Sequence, residues 1–180
     1  MFSIIIATSD SERALVPTLA ALVPGATAGI VREVIVTDAG SRDKTEEVAD
    51  IAGCRFLTSG EPLGARLNAA ASEARGDWLM FLEPGVVPGP AWIDETIAFA
   101  ERANSDVRAA VFAPEPGFAN AFRAMFLRPD ARQGVLLQKA AYRELGGHRA
   151  GARDPHSDLL RRIGRRRLVT LRTTAYLPDV

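Results

Sequence analysis

Residues 76–85 read Gly-Asp-Trp-Leu-Met-Phe-Leu-Glu-Pro-Gly, and Trp78 to Leu82 form an unbroken apolar run. Gly76-Asp77 precedes the run and Glu83-Pro84-Gly85 closes it. Five apolar residues that stop at a turn spell a strand buried on both faces, as in a parallel sheet covered by helices on each side. In open α/β sheets, ligands bind beyond the carboxyl ends of such strands. Glu83 is the first residue past that end and therefore the first candidate for chemistry.

The segments before this run repeat one rhythm. Residues 2–7 are an apolar strand, and Ser9 with Glu12 three positions later offers a capping box for a helix carrying Leu15, Leu19 and Leu22. Pro24-Gly25 is expected to end that helix. Residues 34–36 form a second strand running into Asp38-Ala39-Gly40-Ser41, residues 45–51 a short helix, 54–57 a third strand and 63–74 an alanine-rich helix. Strands alternating with helices predict right-handed crossovers and a mainly parallel sheet with helices on both faces, a single three-layer α/β/α domain. Further on, the pattern predicts helix over 91–103, strand over 107–113, a short strand over 134–138, helical turns over 140–145 and 158–163, and a strand over 168–171. Phe118, Phe122 and Phe126 recur at helical spacing. They read first as a core or domain-packing stripe, with a partner or membrane surface left open.

A chain of 180 residues buries roughly 70% of its unfolded surface without staples. The lone cysteine, Cys54, opens an apolar run and reads as a small core residue. Without a second cysteine there is no intrachain disulfide, which suits a reducing cytoplasm. No apolar stretch reaches the ~18 residues that span a bilayer, and no basic n-region precedes the first strand. The formal charge is +0 overall, with 7 basic and 12 acidic side chains in residues 1–90 and 15 and 10 in residues 91–180. That balance gives no case for nucleic-acid binding, and nothing in the sequence sets the oligomeric state.

The predicted parallel strands end at Thr8, Asp38 and Glu83, so these three share one sheet edge. Asp38 could accept from a base N–H or a ribose hydroxyl, with Ala39-Gly40-Ser41 letting a flat ring approach. It could instead start a turn whose Ser41 or Asp43 caps the next helix, which by itself suffices to explain the residue. Arg66, on the first turns of its helix, could reach a phosphate or stay solvated. No Gly-Lys-Ser/Thr marks a Walker loop, and no Gly-x-Gly-x-x-Gly follows the first strand.

Five blocks taken in order carry a resemblance. They are Ser3-Ile4-Ile5-Ile6-Ala7-Thr8, residues 33–45 (Glu-Val-Ile-Val-Thr-Asp-Ala-Gly-Ser-Arg-Asp-Lys-Thr), Gly64-Ala65-Arg66-Leu67-Asn68, residues 74–82, and residues 134–147 ending Tyr142-Arg143-Glu144-Leu145-Gly146-Gly147. Together they resemble the GT-A fold of family 2 glycosyltransferases, and Asp158-Leu159-Leu160-Arg161-Arg162 resembles the end of that family's acidic-pair motif. The compact form most similar to this chain is the short bacterial branch labelled selenodomain-associated transferase.

The resemblance implies transfer of a sugar from a nucleotide-diphosphate donor to an acceptor, with residues 1–90 as the nucleotide-binding half and 91–180 as the acceptor side. It places nucleoside-binding positions on Thr8 and Asp38 and a basic residue near the base or diphosphate on Arg66. The family's Asp-x-Asp, which holds Mn2+ or Mg2+, falls on Glu83-Pro84-Gly85, leaving Glu83 as the one side-chain ligand and a weakened hold on the metal. The general base falls on His156, with Asp154 or Asp158 serving in a different register. Arginines over residues 161–167 could offset leaving-group charge, and with the phenylalanine stripe would suit peripheral membrane contact. The alternative the same residues allow is a catalytically impaired member that binds a nucleotide or a partner without transfer.

Overall fold

The computed structural model describes residues 1–103, 109–113 and 134–176. The phenylalanine stripe at 118, 122 and 126 lies outside these residues. The first half runs β1 (Phe2–Thr8), α1 (Glu12–Thr27), β2 (Val31–Asp38), α2 (Thr45–Ile51), β3 (Arg55–Thr58), α3 (Leu63–Glu73) and β4 (Trp78–Leu82). The second half runs β5 (Val87–Pro88), α4 (Trp92–Arg102), β6 (Ala109–Ala113), β7 (Val135–Gln138), α5 (Lys139–Glu144), α6 (Pro155–Ile163), a 3-10 turn (Arg165–Arg167) and β8 (Leu168–Tyr176).

These strands form one sheet in the order β3-β2-β1-β4-β7-β6-β8-β5. The first four are parallel, with Ile6 opposite both Val36 and Leu82. Strand β7 enters antiparallel between β4 and β6, and β5 pairs antiparallel with β8. The expectation of a mainly parallel sheet therefore holds for the parallel block and for β6 with β8, while β7 and the two-residue β5 depart from it. A run as short as Val135-Leu136-Leu137 carries no sign of direction.

All five residues of β4 are buried. Trp78, Met80 and Leu82 face a core built with α1, α2 and α4, while Leu79 and Phe81 face one built with α3, α5 and α6. Alternation into two apolar layers is what a five-residue run without a polar position requires. Strand β8 alternates instead: Leu171, Thr173 and Ala175 are buried and Val169, Thr170 and Arg172 exposed. Its polar half is why the sequence pattern stops short at Leu171.

Helix α1 departs from its expected limits at both ends. It starts at Glu12 behind Ser11, and Ser9 caps nothing; the Glu12 N–H donates instead to Asp43 Oδ2 at 2.9 Å. Pro24 and Gly25 lie inside the helix, which continues to Thr27. Gly25 is there because the Trp92 ring lies on it: a Cβ would fall 2.4 Å from that ring. Trp92 Nε1 donates to the Ala21 carbonyl at 3.2 Å and pins α4 to α1.

Candidate active site

Parallel pairing puts Thr8, Asp38 and Thr58 level at one sheet edge, with Glu83 just past Leu82 at the same edge. The expected convergence of strand ends is present. Two loops rise from it and are laced together. Ala39 N–H donates to Thr8 O (2.9 Å), Asp10 N–H to Ser41 Oγ (2.8 Å), Ser11 N–H to Thr45 Oγ1 (2.9 Å) and Arg42 N–H to Asp10 Oδ1 (2.7 Å). Asp10 holds a left-handed backbone at φ 46°, a conformation that Asp tolerates better than most residues. Asp43 serves both helices, accepting from Glu12 N–H through Oδ2 and from Thr45 N–H (3.0 Å) and hydroxyl (2.5 Å) through Oδ1.

Asp38 is only 1% exposed. Its Oδ1 accepts from the Thr8 hydroxyl at 2.7 Å and the Ser41 hydroxyl at 2.5 Å; its Oδ2 accepts from the N–H groups of Gly40 and Ser41 at 2.7 and 2.6 Å. Burial works to raise its pKa, but the Ser41, Thr8 and Gly40 bonds together hold it below the usual carboxylate range. Four donors fill the lone-pair sites of a carboxylate. As folded, Asp38 shapes the loop and offers no unused acceptor to a nucleoside.

Arg66 is 7% exposed, and its Nη1 donates to the carbonyls of Thr37 (2.6 Å) and Thr8 (3.3 Å). Burial lowers its pKa and the Asp38 charge counters that. Its Nε is buried without a partner. The guanidinium is packed beneath the ends of β1 and β2 with one N–H left unsatisfied and shielded from solvent. Thus Thr8, Asp38 and Arg66 are brought together.

The second cluster lies on the α3 side of the sheet. Gly64 at the start of α3 abuts the chain at Arg149, where a Cβ would meet the carbonyl oxygen at 2.2 Å. Beneath this contact, His148 and His156 stack edge-on to one another (4.7 Å between centroids) and to Phe81, at 4.7 and 6.1 Å. His148 Nε2 and His156 Nδ1 are 3.1 Å apart, and Tyr142 Oη lies 2.9 Å from His148 Nδ1. Burial pushes the His148 pKa down to about 2, helped by His156 and Arg162. Burial lowers His156 too, against the pull of Asp154. Both rings are neutral at pH 7.

His156 and Asp158 share the first turns of α6, whose N-cap Asp154 accepts from Ser157 N–H at 3.0 Å. Asp158 is turned to other work. It accepts from Arg161 (2.6 Å) and Arg162 (2.9 Å), with Arg149 4.0 Å away, and the Arg162 and Arg161 bonds hold its pKa down. Arg162 continues to the carbonyls of Leu145 and Gly147, so Asp158 anchors the clamp that closes residues 145–147 over α6. A carboxylate held this way is a poor base.

Three of the five arginines over residues 161–167 that could offset leaving-group charge are Arg165, Arg166 and Arg167. The structure carries them to the opposite edge of the sheet. Leu168 is level with Ala109, hence with Leu137 and Leu79 near the start of β4. That is four residues, about 13 Å, back from Glu83.

Glu83 opens a turn in which its carbonyl accepts Val86 N–H (3.1 Å), and Gly85, at φ 90°, donates to Thr18 Oγ1 at 2.9 Å. Among the described residues no group of three or more His, Cys, Asp or Glu side chains could hold a metal ion.

A family model described as glycosyl transferase family 2 matches residues 3–160. The chain belongs to that family. No curated protein sequence matches it. Among solved structures, this family 2 chain is similar to glucosyl-3-phosphoglycerate synthase from Mycobacterium tuberculosis in complex with Mn2+, UDP and glucosyl-3-phosphoglycerate. The TM-score is 0.72 at 18% identity, covering 100% of this chain and 72% of that one. The same enzyme with Mg2+ and UDP gives a TM-score of 0.71 at 18% identity, with the same coverage. A mannosyltransferase from Pyrobaculum calidifontis in complex with GDP-Man and Mn2+ gives 0.76 at 18% identity, over 94% of this chain and 54% of that one. At such identity the likeness is one of fold, the GT-A arrangement. Placement in a short bacterial branch rests on the sequence resemblance alone.

Sequence reasoning missed His148 and Tyr142. The available signal was density: both histidines and one of the two tyrosines fall within residues 142–156.

Proposed function

We propose that this family 2 chain transfers a sugar from a nucleotide-diphosphate donor, bound at the β1–β2 edge, to an acceptor entering from the α5–α6 side. The observation that carries the reading is Arg66. It is buried and hydrogen-bonded to the ends of two parallel strands, which sets a positive charge beneath the edge where a diphosphate would lie. Asp38 and Thr8 hold the loop that frames the ligand, and residues 1–90 act as the donor half, 91–180 as the acceptor half. A divalent ion enters with the diphosphate, Glu83 contributing one oxygen ligand. No helix among the described residues is long and apolar enough to cross a membrane, and we place the protein in the cytoplasm.

The second reading is a member that binds a nucleotide or a partner without transfer. The saturation of Asp38 and Asp158, together with a motif reduced to Glu83, favours it. Calorimetric titration of UDP, GDP and their sugar conjugates, with and without Mn2+, separates the two. Metal-dependent binding that is lost in Arg66→Met, together with release of nucleotide from the sugar conjugate, supports transfer. Binding indifferent to metal with no release supports the second reading. No affinity for any nucleotide sinks both.

A further inference from the structure

The rings around Phe81 have a direction. The backbone N–H of His148 donates to Tyr142 Oη at 2.9 Å, so the phenol is already an acceptor. Its own proton needs an acceptor, and His148 Nδ1 lies 2.9 Å away. A neutral imidazole that accepts at Nδ1 carries its proton on Nε2. His148 Nε2–H therefore donates to His156 Nδ1, 3.1 Å away. By the same rule His156 carries its proton on Nε2. The reverse order would have Tyr142 accept twice and strand its O–H, in a side chain only 2% exposed.

We propose that Tyr142 and His148 are positioning residues that lock His156 as a neutral imidazole presenting Nε2–H as a hydrogen-bond donor to an oxyanion, the diphosphate of the sugar donor. The identity of the oxyanion rests on the nucleotide-sugar reading above; the lock does not. His156 is 7% exposed, and among the described residues the one side-chain polar atom both fully buried and unpartnered is Arg66 Nε. His156 sits where α6 begins, its ring against Phe81 two residues before Glu83, and its partner His148 adjoins Arg149, which abuts Gly64 on the helix bearing Arg66. The charged groups about the pair are Asp154 at the α6 N-cap, with Arg162 and Asp158 on the next turns. Burial outweighs them and keeps both rings uncharged. An N–H fixed in place before charge develops on the leaving phosphate is the kind of donor that stabilises it without reorganising. Only a hydrogen bond is involved; no proton changes hands. His156 is thus a donor, where the family pattern led one to expect a base.

The test reads the tautomers directly. The chain has 2 histidines, so two-bond 1H–15N correlation of the 15N-histidine-labelled full chain at pH 7 shows two rings. Each is expected as a single Nε2–H form, and an Nδ1–H or doubly protonated His156 overturns the proposal. Tyr142→Phe should mix the tautomers of both rings while leaving the far-UV circular dichroism intact; an unmixed pair overturns the role of Tyr142. Should that variant not fold, His148→Gln, whose amide N–H can replace Nε2–H, should keep His156 in one form, and His148→Leu should not. If both give the same His156 spectrum, the lock is wrong. UDP and inorganic pyrophosphate should then each shift the His156 Nε2–H resonance. Calorimetric binding of UDP without that shift overturns the donor role and leaves the nucleotide reading standing. A shift with pyrophosphate but no affinity for nucleotides does the opposite. No shift with either overturns the proposal.

Discussion

Asp38 sits where a ligand-binding carboxylate is expected, yet all four of its hydrogen bonds are internal. Two substitutions at this position separate loop-shaping from binding. Asp38→Ala removes the acceptor of four donors, each worth about 1 kcal/mol net, somewhat more for a charged acceptor. Gly40 is exposed and regains a bond from water, so the loss is about 4 kcal/mol. For a chain of this size that lowers Tm by about 8–16 °C. Asp38→Asn should behave differently. The amide can turn its oxygen to the N–H groups of Gly40 and Ser41 and its NH2 to the hydroxyls of Thr8 and Ser41, which can accept. Its cost should stay near 1 kcal/mol. Urea and thermal unfolding measure both, and pH adds a check of sign. The folded pKa of Asp38 is depressed, so its charge contributes stability that is present above the unfolded value near ~3.9 and lost as pH falls through the folded one. The advantage of the wild type over Asp38→Asn should therefore shrink on the acid side. If Asp38→Ala unfolds within 1 kcal/mol of wild type, or Asp38→Asn is as damaging as Asp38→Ala, the loop does not depend on this carboxylate as argued.

Two further outcomes follow from packing and burial. Gly64→Ala places a Cβ 2.2 Å from the Arg149 carbonyl oxygen and 2.7 Å from its carbon, so backbone must move. It should cost about 1–3 kcal/mol in urea unfolding and shift the ring resonances of His148. Burial pushes the Cys54 thiol up to about 11. Reaction with an aromatic disulfide at pH 8 should run at least ~10-fold slower than with an unperturbed thiol of pKa ~8.5, the smaller thiolate fraction being partly offset by its higher basicity; a rate near that of the free thiol refutes the burial argument.

The parts of the fold that were legible are those whose cause is local. Trp78 to Leu82 carries its burial in its own composition, and the residues of α2 and α3 show their limits in helical spacing and flanking turns. What was illegible has its cause elsewhere in the chain. The N-terminus of α1 is satisfied by Asp43, 31 positions on, so local signals pointed to Ser9. Gly25 reads as a helix stop until Trp92 is packed against it. In the site, the residue types at Thr8, Asp38, Arg66 and His156 were visible, but the saturation of Asp38 was not. Nor could a sequence show that Tyr142, His148 and His156, on α5, a loop and α6, would share one line of hydrogen bonds.

The carboxylate of Asp43 has a consequence for motion. It joins the first turn of α1 to the first turn of α2, and Glu12 returns the favour by accepting Lys44 N–H at 3.3 Å. Neither loop can lift without uncapping the helix behind the other. The rim over β1 and β2 therefore opens as one cooperative unit with a single opening free energy. A ligand that orders either loop orders both, so a molecule touching only the β1–α1 side is felt at Gly40 without reaching it.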